Sequence, residues 1–218
     1  MKGKEMTFKT TLAGIGAAAA VAFAAPAAAV TYQLNNGGSA FTGLASWGTV
    51  DLVQSGADVN FTVTLVNGFD FVTTGNQNSH SSFTFNTTGV VLADIVNIDT
   101  PSAATYAAWT TAGNSPFGTF TFGIHCTSCS NGAGGADPDP LTFKVKNAVI
   151  NDFLSTSTGG TAAYFAADIY GPSGSGQNAT GTVGTTGLVP GIPEPQTYAL
   201  MLAGLAAVGF MARRRRQV

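Results

Sequence analysis

Apolar and polar residues alternate with period two in several stretches of the chain, the pattern of strands with one face buried. Phe61, Val63 and Leu65 fall on one side, and Asn60, Thr62 and Thr64 on the other. Phe120, Phe122 and Ile124 alternate with Thr119, Thr121 and Gly123. Leu141, Phe143 and Val145 alternate with Thr142, Lys144 and Lys146, the clearest strand in the sequence. Phe83-Thr84-Phe85 and Phe165-Ala166-Ala167-Asp168-Ile169 add two more. Val90 to Ile98 (VVLADIVNI) is denser and reads as a buried strand or a short helix. Turn-forming pairs such as Asn67-Gly68, Gly75-Asn76, Thr88-Gly89, Gly113-Asn114 and Gly159-Gly160 separate these runs. No long stretch has helical period. The spacing predicts an all-β body over residues 30–170, an antiparallel β-sandwich or jelly-roll large enough to close a two-sheet core.

From Gly171 to Ile192 the pattern stops. Seven of these 22 residues are Gly, with no charge and no aromatic ring. Such a composition buries little apolar surface, so residues 171–192 are expected to form a flexible stalk.

The two ends carry a different pattern. Residues 1–29 read as a secretory signal peptide: Lys2, Lys4 and Lys9, an apolar run from Leu12 to Ala25, then small residues. Ala27 and Ala29 supply the A-x-A site for signal peptidase, and cleavage would leave Val30 as the new N-terminus. Met6 is an alternative start, since the chain from there keeps the signal shape and drops Glu5. At the other end, Pro193-Glu194-Pro195 precedes an apolar run from Tyr198 to Ala212 and then Arg213, Arg214, Arg215 and Arg216. Fifteen helical residues span about 22 Å against a bilayer core of about 30 Å, a shortfall that snorkelling Arg and local thinning absorb. A single short transmembrane helix is expected, with the Arg cluster cytoplasmic and the body outside.

Composition sharpens the functional classes. Charged residues make up 9% of the 218, against about 25% in ordinary soluble proteins. Between Val30 and Ile192 there are two Lys, nine Asp and no Glu, a net charge of −7. An acidic body argues against nucleic acid, which needs clustered Lys and Arg.

In its last residues the chain closely resembles the PEP-CTERM sorting signal of Gram-negative bacteria. There a Pro-Glu-Pro triplet, a short membrane helix and a terminal Arg cluster occur together, as they do over residues 193–218 here. The resemblance implies processing by an exosortase, a membrane-embedded cysteine transpeptidase, near Pro193, Glu194 and Pro195. It also implies release of the body to the cell surface or to a polysaccharide-rich matrix. Bodies differ within the family, so the tail does not say what this one does.

Candidate chemistry in the body is sparse. Cys126-Thr127-Ser128-Cys129 holds the only two cysteines. A redox dithiol needs a following helix to lower the thiol pKa, and a Gly-rich loop, Ser130 to Gly135, follows instead. A structural disulfide between Cys126 and Cys129 is therefore the leading reading, ahead of free or metal-bound thiols and of redox catalysis. His125 and His80 could join the cysteines on zinc, but the spacing is not that of a zinc site, and adjacent strand residues point to opposite faces. Asp137 and Asp139, in Asp137-Pro138-Asp139-Pro140, are weak calcium candidates; a solvated turn is the default. No cofactor is otherwise implied. Nothing singles out a carboxylate pair or a Ser-His-Asp arrangement. The N-x-[ST] matches at Asn60, Asn86 and Asn178 carry no weight in a chain of the bacterial origin that the resemblance implies.

The leading expectation is an exported, exosortase-sorted structural or adhesive protein, with matrix polysaccharide or other matrix proteins as partners and no catalytic role. The alternative is a carbohydrate-binding module stacking sugars on Trp47, Trp109, Tyr106, Tyr164 or Tyr170. A hydrolase is the least favoured reading.

Overall fold

The alternating runs pair as antiparallel ladders. The computed structural model describes residues 28–76, 78–173 and 177–187, together with Met201, Gly204 and Leu205. Its strands are β1 (Ala29–Gln33), β2 (Gly48–Ser55), β3 (Asp58–Leu65), β4 (Asp70–Phe71), β5 (Phe83–Phe85), β6 (Ile95–Asp99), β7 (Tyr106–Asn114), β8 (Gly118–Cys126), β9 (Leu141–Val145), β10 (Phe165–Pro172) and β11 (Asn178–Gly184). They form two sheets, ordered β1-β2-β3-β9-β6 (sheet A) and β11-β10-β5-β8-β7 (sheet B), with β4 also paired to β10. Between Ala29 and Gly184 the only helical segments among the described residues are 3-10 turns at Leu92–Asp94, Gly132–Gly135 and Ile150–Phe153. The all-β, antiparallel expectation holds.

Sheet A shows how the sequence dictates an element. β2 and β3 pair from Gly48↔Leu65 to Ser55↔Asp58, so the hairpin turns on Gly56-Ala57 alone. Gly56 sits at φ +63°, a conformation that costs glycine little. Along β3, Val59, Phe61, Val63 and Leu65 are buried while the residues between them are half-exposed. β9 repeats the pattern with Leu141, Phe143 and Val145. Phe61 is the hub where the sheets meet: its ring stacks on Phe143 at 4.5 Å, meets Phe153 edge-on at 4.9 Å, and reaches Phe85 of sheet B at 5.5 Å. Aromatic pairs in such geometries add about 0.5–1.5 kcal/mol each beyond their burial.

Two expectations change. The run Val90 to Ile98 is not one element but two: a short 3-10 helix, Leu92–Asp94, followed by β6, the edge strand of sheet A. Ile95 is buried, but Val91 is 61% exposed. A ladder with β9 that shifts register between Val96 and Asp99, where Asn97 adopts φ +54°, leaves Val90 and Ile98 only partly buried against the core.

The supposed stalk is cut short as well. β11 falls inside residues 171–192 and pairs with β10 from Ala166↔Gly184 to Pro172↔Asn178. Its glycines are sites of close approach. A Cβ on Gly181 would lie 2.5 Å from that of Ala40, and one on Gly184 would lie 2.8 Å from the Phe117 ring. Loss of side chains here permits packing rather than disorder. Val183 is fully buried, and Asn36 exchanges two backbone hydrogen bonds with Gly184. The rest of that segment, residues 188–192, lies outside the described residues, as do residues 174–176.

Candidate functional site

The sorting residues Pro193, Glu194, Pro195 and Arg213 to Arg216 lie outside the described residues, as does Ala27. Ala29 and Val30 open β1, opposite Val53 and Leu52. Among the described residues no helix is long and apolar enough to cross a membrane.

Cys126 and Cys129 are joined in a disulfide, with Cα atoms 5.5 Å apart. Cys126 is buried at the end of β8. The loop is tied to the chain before β7: the Thr127 amide donates to the Thr105 carbonyl at 2.8 Å, and the Thr105 amide donates to Ser128 Oγ at 2.8 Å. The 3-10 turn that follows, Gly132–Gly135, is too short to activate a thiol by its dipole.

His125 and His80 do not join the cysteines. His80 Nδ1 lies 3.3 Å from Thr182 Oγ1, and His125 Nδ1 is buried without a hydrogen-bond partner. Burial pushes both imidazoles below their ordinary pKa. Among the described residues no three His, Cys, Asp or Glu side chains converge as metal ligands.

Asp137 and Asp139 are turned to separate partners. Asp137 is buried, exchanges two backbone hydrogen bonds with Phe71, and accepts the Tyr106 hydroxyl at 2.8 Å. Asp139 accepts the Leu65 amide at 3.1 Å. The default reading of a solvated turn fails for Asp137, because pairing with β4 draws it inward. Tyr106 is held well above its ordinary pKa, first by burial and then by its bond to Asp137.

The aromatic residues proposed as a sugar platform are dispersed. Trp47 is in the core, Tyr106 and Tyr164 pack against it, and the Tyr170 hydroxyl accepts the Asn178 amide at 3.2 Å. Trp109 stands apart at 39% exposure on β7, the edge strand of sheet B. A groove of about 220 Å³ lies near the end of that strand, between Asn78-Ser79 and the β7–β8 hairpin, lined by Asn, Ser, Thr, Gly and Pro and no charge.

Asp168 is the functional candidate that sequence reasoning passed over. It sits on β10 with its backbone between those of Ser82 and Val72: its amide donates to Ser82 O at 3.2 Å, and its carbonyl accepts the Val72 amide at 3.0 Å. Its side chain is 1% exposed, and neither carboxyl oxygen has a well-formed hydrogen bond. Burial pushes this carboxyl up to about 7, only partly opposed by the hydroxyl and amide of Thr74. The available signal was an Asp inside an otherwise apolar run.

Against known proteins, residues 191–216 match the PEP-CTERM protein-sorting motif. Neither curated proteins nor solved structures match the chain. The matched segment holds the Pro-Glu-Pro triplet, the apolar run and the Arg cluster. The chain therefore carries the PEP-CTERM protein-sorting motif over residues 191–216, which supports an exported protein sorted by an exosortase.

Proposed function

We propose that the body is a structural or adhesive component of the cell surface or of an extracellular polysaccharide matrix, acting by assembly rather than by turnover of a substrate. The observation that carries this reading is the sorting motif at residues 191–216, joined to an exported two-sheet β body. Transient anchoring follows from the tail: the Arg cluster stops transfer, since an Arg at the bilayer centre costs at least about 3 kcal/mol. Glu194→Ala, or loss of the host exosortase, is expected to leave a full-length, membrane-retained species and a less cohesive matrix. Normal maturation and cohesion in both cases would overturn the reading. A carbohydrate-binding role is the second reading, favoured by Trp109 exposed on an uncharged edge strand. Retention of the exported protein on purified matrix polysaccharide, lost in Trp109→Ala, would select it.

A further inference from the structure

β4 and β5 lie along the same edge of β10, because β11 occupies the other edge from Ala166 to Pro172. The chain between them leaves the sheet at Val72 and rejoins it at Ser82, and both ends of this excursion hydrogen-bond to the backbone of Asp168. Phe71 and Phe83 face the sandwich core, so Val72, Ser82 and Asp168 face the other side of sheet B. The excursion is fastened there at several points. Thr73 Oγ1 and Ser82 Oγ are 2.9 Å apart, and the Gly132 amide donates to the Thr73 carbonyl at 2.8 Å. The Asn131 side chain accepts from the Gly75 amide at 3.2 Å and donates to the Gly75 carbonyl at 3.1 Å. Thr74 turns its hydroxyl and amide toward the Asp168 carboxyl.

The geometry points to a proton-operated strap: residues 72–76 are held against sheet B while the Asp168 carboxyl carries its proton, and lift from it when the proton is lost. A buried carboxylate needs a cation or several donors. The groups facing Asp168 supply no cation. β11 presents Thr182, with His80 Nδ1 3.3 Å from its hydroxyl, the β5 end presents Ser82 with His125 of β8 beyond it, and the strap presents Thr73 and Thr74. Both histidines are kept neutral near pH 7 by burial. Asp70 of β4, opposite Tyr170, is a further acid, and Asp137 beyond β4 is bonded to Tyr106. Lys144 lies on β9 in sheet A, with Lys146 just beyond that strand. Protonated, the carboxyl gains a donor for the otherwise unpartnered Thr74 Oγ1, whereas for the ionised form the Thr74 hydroxyl and amide offset burial only in part. Ionised, it is hydrated at least cost by local opening of the strap, since global unfolding would sacrifice the whole core. Burial sets the carboxyl near 7, so the change falls in the environmental range.

Amide hydrogen exchange of the exported protein between pH 5 and 8.5, corrected for intrinsic rates, tests this. Protection of Val72, Gly75 and Gly132 is expected to fall at least tenfold across the range, while Val63 and Ile124 in the core stay protected. In Asp168→Asn the strap amides lose this pH dependence. Unchanged strap protection, an equal fall in the variant, or a parallel fall at Val63 would overturn the proposal. If the variant does not fold, the carbon-13 shift of the wild-type Asp168 carboxyl decides: a midpoint between 6 and 8 supports the strap, and one below 5 overturns it.

Discussion

The two sheets obey different rules. β3 and β9 of sheet A alternate buried and half-exposed residues, whereas all three residues of β5 and the first five of β10 in sheet B are buried. The outer face of sheet A meets solvent. That of sheet B is covered by residues 72–76 and, farther along, by the β7–β8 hairpin turn, where Phe117 and Phe120 enclose Ala163 and Ala166 in a second small core. Covering a sheet on both sides converts alternation into a solid apolar run, and polar residues caught in that run, such as Thr84 and Asp168, become buried groups with obligations.

The contrast is broken most directly by one charge placed on each outer face. Ala166→Asp is expected to cost about 5 kcal/mol, because it strands a carboxylate in a closed layer. Asn60→Asp, on the half-exposed face of β3 and opposite Lys144, should stay within about 0.5 kcal/mol. Urea unfolding of both variants measures the difference, and equal costs would mean that sheet B is open.

Next in size is the pH dependence carried by Asp168. Its folded pKa of about 7 exceeds an unfolded value near 3.9. Below about pH 4 both states hold the proton and the group contributes nothing. Between about 4 and 7 only the folded state holds it, so stability falls as pH rises, and above 7 the full cost persists. Three units at about 1.4 kcal/mol each set a ceiling of roughly 4 kcal/mol. Burial of His80 and His125 acts in the opposite sense below about 6.5, with stability lost as pH falls. The informative quantity is therefore wild type minus Asp168→Asn, measured by denaturant melts at pH 4, 6 and 8.

Gly181→Val is expected to cost about 3 kcal/mol by forcing β11 away from Ala40. Proteolysis between Pro172 and Gly187 should then speed up while the core of sheet A stays resistant. The smallest effect is expected from replacing both cysteines with Ala. A four-residue ring limits the loss to under about 2 kcal/mol, with exchange rising first at Thr127 and Gly132, which border the loop.

How far the sequence was legible follows the same division. β3 and β9 were visible because one face is wet. β8 was visible by its alternation, and β5 and β10 as short aromatic or apolar runs, but not the layer that covers those two. β11 was hidden because Gly181 and Gly184 resemble linker residues until Ala40 and Phe117 are placed against them. Asp137 was hidden because its partner, Tyr106, is brought to it by the fold from 31 residues away.

Local chemistry alone determined the all-β character, the pairing of Cys126 with Cys129 and the sorting motif at residues 191–216. Each depends on residues within about one strand or one short segment of each other. Tertiary structure decided which faces of the strands are dry, that β11 belongs to the body, and that Asp168 is enclosed. Burial is a property of what lies across the sheet, and here the covering elements, the strap and the β7–β8 turn, come from chain positions about 50 to 95 residues before Asp168.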